Sequence, residues 1–411
     1  MKKIISVILA ICLLSLTACS ENSATNLGGK IRRQDIAPIE ITEIEQDKTD
    51  EIIDFSLKIL EKSLNDENIL ISPLSIILAL AMTSNGADGE TLSQMESVFG
   101  TDIGSLNDFL YAYTSYLPQD NKYKISTANS IWVKNDSIVM DKDFLQTNKN
   151  YYDASIFEDS FDDDTLKNIN NWVKDKTDGQ IDKVIEKISP NTFMYLINAL
   201  SFDAQWEDMY EDIEVREREF TKENGEVQKV EFMSSSEYNY IKLKNATGFT
   251  KNYADGKYSL VAILPNEDLS IDEFTKNLKA DEILNALKNS SNEEVMTRIP
   301  KFEFDYSTRL KDVLSDMGMT DAFIDTKANF NKMGETDFHY VYIEDVIHKT
   351  KITVDEKGTK AGAVTAVILT GEGAVEKPTK PKEVFLDRPF YFMIIDNEFN
   401  LPIFMGTLME V

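Results

Sequence analysis

Apolar and polar positions along the chain alternate in helix-period and strand-period segments, with no internal repeat and no interior linker. Ile53, Leu57, Leu60 and Leu64 fall on one face of an amphipathic helix, for which Thr49 or Asp50 is the expected N-cap. Ser72-Pro73 forms an N-cap and first-turn pair. The following run, 74–82, is apolar nearly all round and predicts a buried helix ended near Asn85-Gly86. Strand period governs 124–134, with Ile125, Thr127, Asn129 and Ile131 on one side, and 193–200 reads as a buried strand that bends before Trp206. Helices are expected over 166–176, 270–288 and 310–317. Asn224-Gly225 and Asp255-Gly256 predict hairpin turns, and Pro300 places the strand over 295–304 at an edge or a bulge. Together these elements predict one α+β domain with large mixed-to-antiparallel sheets.

The stretch 355–389 departs from this pattern. Thr359, Ala361, Ala363, Thr365, Val367 and Leu369 share one face at period 2 and are all small or apolar, which suits a strand entering the middle of a sheet. Yet the run continues into Gly371, Gly373 and a Lys/Pro-rich tract ending at Arg388-Pro389, which is loop chemistry. The residues alone favour an ordinary buried strand followed by a long surface turn.

Charge narrows the function classes. The 411 residues carry 71 acidic against 43 basic side chains, a net −28, which argues against nucleic-acid binding and against a polybasic membrane patch. With 42% hydrophobic and 10% aromatic residues there is enough apolar surface for a large core. Met1-Lys2-Lys3 and the apolar run 4–16 form a secretory signal, too short for a spanning helix. It ends Leu16-Thr17-Ala18-Cys19, which resembles a bacterial lipobox. This predicts a signal over 1–18, lipidation at Cys19, and a cell-surface or extracellular protein touching the membrane only through its anchor. Cys12 would leave with the signal, so the mature chain would rely on packing rather than a disulfide. The segment from Cys19 to about residue 46 is expected to be a flexible tether reaching about 25–30 Å, with the folded domain over 47–411.

Enzyme chemistry finds little support. The two histidines, His339 and His348, form no HExxH motif, and there is no Gly-x-Ser-x-Gly elbow. The acidic run 158–164 lacks EF-hand spacing and reads as a solvated turn. No metal, cofactor or catalytic set is expected. A lone histidine among apolar residues, as at His348, is ordinarily a satisfied core residue.

Glu356-Lys357-Gly358-Thr359-Lys360-Ala361-Gly362-Ala363 resembles the hinge of the serpin family. Pro389-Phe390-Tyr391-Phe392 and Pro402-Ile403-Phe404-Met405-Gly406 are similar to its carboxy-terminal signature. Further likeness runs through Ser72-Pro73-Leu74-Ser75, Leu196-Ile197-Asn198, Gln205-Trp206, Ile299-Pro300-Lys301-Phe302 and Val346-Ile347-His348, so it spans about 50–411. The resemblance implies a suicide inhibitor of serine proteases, monomeric, with a reactive-centre loop over about 356–388. A protease cuts that loop, is held as a covalent acyl-enzyme, and is dragged as the loop inserts into its own sheet.

By the same resemblance Glu356, Gly358, Thr359, Ala361, Ala363 and Thr365 form the hinge. Ser72, Ser75, Asn198 and His348 form a polar shutter beneath the sheet, and Trp206, Lys301 and Glu356 mark the breach where insertion begins. Gly362 stands where the family favours alanine and weakens an inserted strand by about 0.5–1 kcal/mol. Family spacing puts the scissile bond at Glu372–Gly373. Leu369 and Thr370 are alternatives suiting elastase- or subtilisin-like enzymes, whereas Pro378 and Pro381 spoil the bonds after Lys377 and Lys380. The other readings are a non-inhibitory surface binding protein on the same scaffold and, more remotely, a surface hydrolase.

Overall fold

The computed structural model describes residues 24–37, 39, 46–117, 123–189, 192, 194–336, 341–359 and 381–411; the side chains of 46, 47, 126–128 and Asn198 also lie outside the description. Three sheets and the helices around them carry the architecture. The largest sheet runs Thr25–Asn26, Ser155–Asp159, Tyr123–Lys134, Met194–Gln205, Gly358–Thr359, Ile347–Val354 and Phe302–Arg309. Its pairs are antiparallel except Tyr123–Lys134 with Ser155–Asp159. Alternation builds it: His348, Thr350, Ile352 and Val354 point inward and their neighbours outward.

A second, six-stranded sheet runs Ile69–Ile71, Leu401–Leu408, Phe390–Asp396, Tyr258–Pro265, Ala246–Asn252 and Asn239–Lys242. Its central strands are buried on both faces, and for that reason they read as continuous apolar runs. A Cβ on Gly406 would run into the carbonyl oxygen of Ile69, so only glycine lets those strands approach. The third sheet runs Lys382–Phe385, Val295–Pro300, Val227–Glu237 and Val215–Thr221. The helix Pro73–Ser84 is buried along its whole length and packs against both Met194–Gln205 and Leu401–Leu408. A smaller apolar cluster, Trp132, Ile169, Val173, Ile185, Ile197 and Ala199, lies between the helix Asp163–Lys176 and the outer face of the large sheet.

Several local expectations fail for identifiable reasons. The first helix spans Gln46–Ser63 rather than starting at Thr49 or Asp50. Lys48 reaches Glu51 at 3.2 Å and also bonds Thr101, so tertiary contacts hold the extra turn that capping preference would cut off. The flexible tether expected up to residue 46 is wrong over 24–34. Thr25–Asn26 pairs with Glu158 and Phe157, Leu27 N donates to Ile156 O at 2.7 Å, and Gln34 N donates to Asn150 Oδ1 at 2.9 Å. An open sheet edge captures backbone whatever its side chains, which hydrophobic patterning cannot register.

The helix expected over 270–288 is two, Ile271–Asn277 and Ala280–Lys288, because the chain breaks to bury Leu278 and Ala280. Val295–Pro300 is an interior strand, and Pro300 is its last residue, where the chain leaves the third sheet for the first. The acidic run is not merely a solvated turn: Asp159 is buried, and Asp162 caps the helix Asp163–Lys176 in a capping box with Thr165. Among the described residues, no helix is long and apolar enough to cross a membrane.

Candidate functional site: the cleft in the large sheet

Met194–Gln205 and Ile347–Val354 are neighbours in the large sheet, yet among the described residues they are joined by backbone pairing only through the two-residue strand Gly358–Thr359. Thr359 sits opposite Ala204 on one side and Val354 on the other. Chain direction reverses in a tight turn in which Asp355 N donates to Gly358 O at 3.0 Å. The Asp355 carboxylate accepts from Lys357 N at 2.8 Å and Gly358 N at 3.2 Å. A Cβ on Gly358 would run into Ala204 O, so the residue must be glycine for this close approach.

The turn rests on an aromatic and charged seat. Trp206 donates from Nε1 to Asp355 O at 2.8 Å and from its backbone N to Lys357 O at 2.9 Å, while Tyr210 N donates to Glu356 O at 2.9 Å. The Trp206 ring stacks on Tyr253 at 4.5 Å between centroids, and the Tyr253 hydroxyl lies 2.6 Å from Thr359 Oγ1. Lys301 Nζ stands 2.9 Å from Glu356 and 3.1 Å from Glu231. The hydrogen bond to Lys301 holds the Glu356 carboxyl below its usual range, and Glu356 in turn raises the Lys301 ammonium.

Farther down the cleft the chemistry changes from charged to neutral. His348 is 3% exposed, and its Nε2 accepts a hydrogen bond from Ser72 N at 3.0 Å. A ring nitrogen that accepts carries no proton, and burial depresses the His348 pKa to about 3, so the imidazole is neutral. Ser72 Oγ caps the buried helix by accepting from Ser75 N at 3.3 Å, and Thr350 Oγ1 donates to Leu70 O at 2.7 Å. The backbone of Asn198 is in register with Asn129 on the adjoining strand. Asn129 Nδ2 donates to Tyr152 O at 3.2 Å, and Tyr152 also bonds Asn107, which exchanges hydrogen bonds with Asn85.

Of the residues singled out by sequence, Trp206, Lys301, Glu356, Gly358 and Thr359 therefore gather at the top of the cleft, and Ser72, Ser75 and His348 at its base. Ala361, Ala363, Thr365, Leu369, Thr370, Glu372, Gly373, Cys19 and the Asn198 side chain lie outside the described residues. The sequence reading missed Tyr210, Tyr253 and Lys251 under the turn. Phe249, Lys251 and Tyr253 are inward-facing at period 2, so a lysine on a core face was the available signal.

A family model described as Serpin (serine protease inhibitor) matches residues 50–411. The chain is a serpin. An uncharacterised serpin-like protein of Thermococcus kodakarensis is 32% identical over 353 residues, covering 84% of this chain and 81% of that protein. Human neuroserpin is 27% identical, covering 84% and 86% of the two chains. Among solved structures, the thermophilic serpin tengpin in its native state is 47% identical and superposes with a TM-score of 0.89, covering 95% of this chain and all of that one. The latent state of tengpin, also 47% identical, gives a TM-score of 0.80, covering 92% of this chain. Serpins are for the most part protease inhibitors rather than enzymes, and some are non-inhibitory.

Proposed function

We propose that this serpin inhibits serine proteases by a single-use mechanism in which its loop is cut, the protease is held as an acyl-enzyme, and the upstream loop segment enters the large sheet as a new strand. The observation that carries the reading is the strand Gly358–Thr359, already seated between Met194–Gln205 and Ile347–Val354. Continued residue by residue, that register would bring Ala361 beside Phe202 and Ile352, and Ala363 beside Leu200 and Thr350. It would set Thr365 between Asn198 and His348, and it would run out at Leu369 opposite Met194, where the flanking strand begins. The small inward positions Thr359, Ala361, Ala363 and Thr365 suit a strand that must thread through a packed core.

A cut then converts loop into sheet faster than the acyl-enzyme hydrolyses, and the native form is held by a kinetic barrier rather than by being the most stable state. Bonds after Leu369 or Thr370 suit elastase- or subtilisin-like targets, and Glu372–Gly373 follows from family spacing. Leu16-Thr17-Ala18-Cys19 supports display at the cell surface through a lipid on Cys19; fatty-acid labelling lost in Cys19→Ser tests that part.

The decisive test mixes the protein with elastase-, subtilisin-, chymotrypsin- and trypsin-like enzymes, followed by denaturing gels and the mass of the C-terminal peptide. A complex that survives denaturation, with a peptide starting after Leu369, Thr370 or Glu372, is expected. Cleavage by every enzyme without any complex would overturn inhibition in favour of a serpin-fold binding protein.

A further inference from the structure

Behind the hinge turn lies a charge that the sheet mechanism does not itself require. Lys251, on Ala246–Asn252 of the second sheet, is 2% exposed. Its Nζ stands 2.8 Å from Glu237 Oε1, at the end of Val227–Glu237 in the third sheet. The same ammonium lies 4.5 Å from the ring centroid of Tyr210 and 5.5 Å from that of Trp206. Glu237 Oε1 also accepts from Ser235 Oγ at 2.7 Å, and Ser235 Oγ lies 3.2 Å from the Tyr210 hydroxyl. The two aromatic residues that Lys251 touches are the two whose backbone amides hold the hinge carbonyls of Lys357 and Glu356.

We propose that Lys251, neutralised by Glu237 and seated against Tyr210 and Trp206, is a positioning residue that holds the turn 355–358 in register to start strand addition. This rests on the inhibitory reading above. Strand addition is a race with deacylation, and a zipper whose first pairs are already laid down skips the slow nucleating step. Without the cation the rings keep their apolar packing but lose the force that orients them. The first pairs at Ala204 and Val354 then have to be found after the cut. A merely structural ion pair would change stability and leave the outcome of the race alone.

The test uses Lys251→Met and the double variant Lys251→Met/Glu237→Gln, because the single change strands a carboxylate in a largely buried site and can fail to fold. In the double variant the introduced amide oxygen still accepts from Ser235. Pancreatic elastase and subtilisin serve as probes, with two readouts: the second-order rate of loop cleavage, and the ratio of stable complex to cleaved chain. The expected result is an unchanged cleavage rate and a complex-to-cleaved ratio lowered about three- to thirtyfold, the range that cation–ring contacts span from exposed to desolvated sites. A lowered melting temperature with an unaltered ratio would overturn the proposal. If the wild-type protein forms no complex with either enzyme, inhibition of elastase- and subtilisin-like targets fails on its own. The positioning role is then decided by the urea resistance that the cleaved chains acquire: equal gain in wild type and double variant would sink it, and a slower gain in the variant would support it.

Discussion

At the mouth of the cleft the turn 355–358 is held by a partly exposed ion pair, a ring stack and backbone amides. At its base, about six residues down the strand Ile347–Val354, His348 and Ser72 meet through one neutral, buried hydrogen bond. The Lys301 and Glu356 side chains are 29% and 32% exposed, so water screens their attraction and can replace either partner when the turn shifts. His348 and Ser72 are both buried away from bulk solvent, so a lost partner leaves a buried polar group unpaired. The mouth is thus built to be adjusted cheaply, and the base to be either fully satisfied or disfavoured.

That contrast can be broken from either side. The largest effect is expected from Ala363→Pro, which removes an amide from the strand to be added and leaves the intact loop chemistry in place. Complex formation on denaturing gels should fall more than about tenfold at an unchanged cleavage rate, because proline in a central strand withholds a ladder hydrogen bond. Unchanged complex yield would defeat strand insertion altogether. Gly358→Ala comes next. Its Cβ meets a backbone oxygen of Ala204 that cannot give way, so the hairpin should detach from Met194–Gln205 with a loss of about 2–3 kcal/mol in urea unfolding.

The base of the cleft is probed by acid. Because the folded chain keeps His348 neutral down to about pH 3, whereas an unfolded histidine takes a proton near pH 6.5, the unfolded state binds the extra proton between those values. Stability therefore falls as pH drops below about 6.5, by about 2 kcal/mol at pH 5 from this group alone. His348→Gln keeps an acceptor for Ser72 and should lose that increment, so the difference between the two urea curves from pH 7 to pH 5 isolates it.

Lys301→Met should show the smallest change, below about 1 kcal/mol and shrinking further in salt. The depressed Glu356 carboxyl makes its contribution above the ordinary carboxylate range, and it is lost as pH falls through the folded value. The raised Lys301 ammonium contributes below the ordinary lysine range and loses that as pH rises through its folded value. A large loss at neutral pH would mean that the mouth is as unforgiving as the base.

What could be read from sequence follows the same division. Period 2 fixes which residues of 347–354 face inward, because one face is buried and a one-residue slip would expose it. Family likeness marked Trp206, Lys301, Glu356 and His348, and the structure sets them at opposite ends of a single cleft. It does not reach contacts made between elements distant along the chain. The seat formed by Tyr210, Lys251, Tyr253 and Glu237 draws on two sheets and the turn beyond a third, and no local pattern joins them. The docking of 24–34 escaped notice because its strand pairing runs through main-chain atoms, and the apolar contacts of Ala24, Leu27 and Ile31 are too sparse to set up a period. Pro300 misled because a proline at the last residue of a strand withholds no ladder bond that the sheet needs, whereas one in the middle would.

One last feature is the pairing of Lys382–Phe385 with Val295–Pro300, followed at once by Phe390–Asp396 and Leu401–Leu408 in the middle of the second sheet. The downstream end of the stretch 360–380 is thereby moored like a rope on a bollard. A cut within that stretch would leave the downstream piece held by two buried strands. Under the proposed mechanism, whatever is attached to the new carboxyl terminus on the upstream piece would be the cargo that travels, and the asymmetry of anchorage would give that motion its direction.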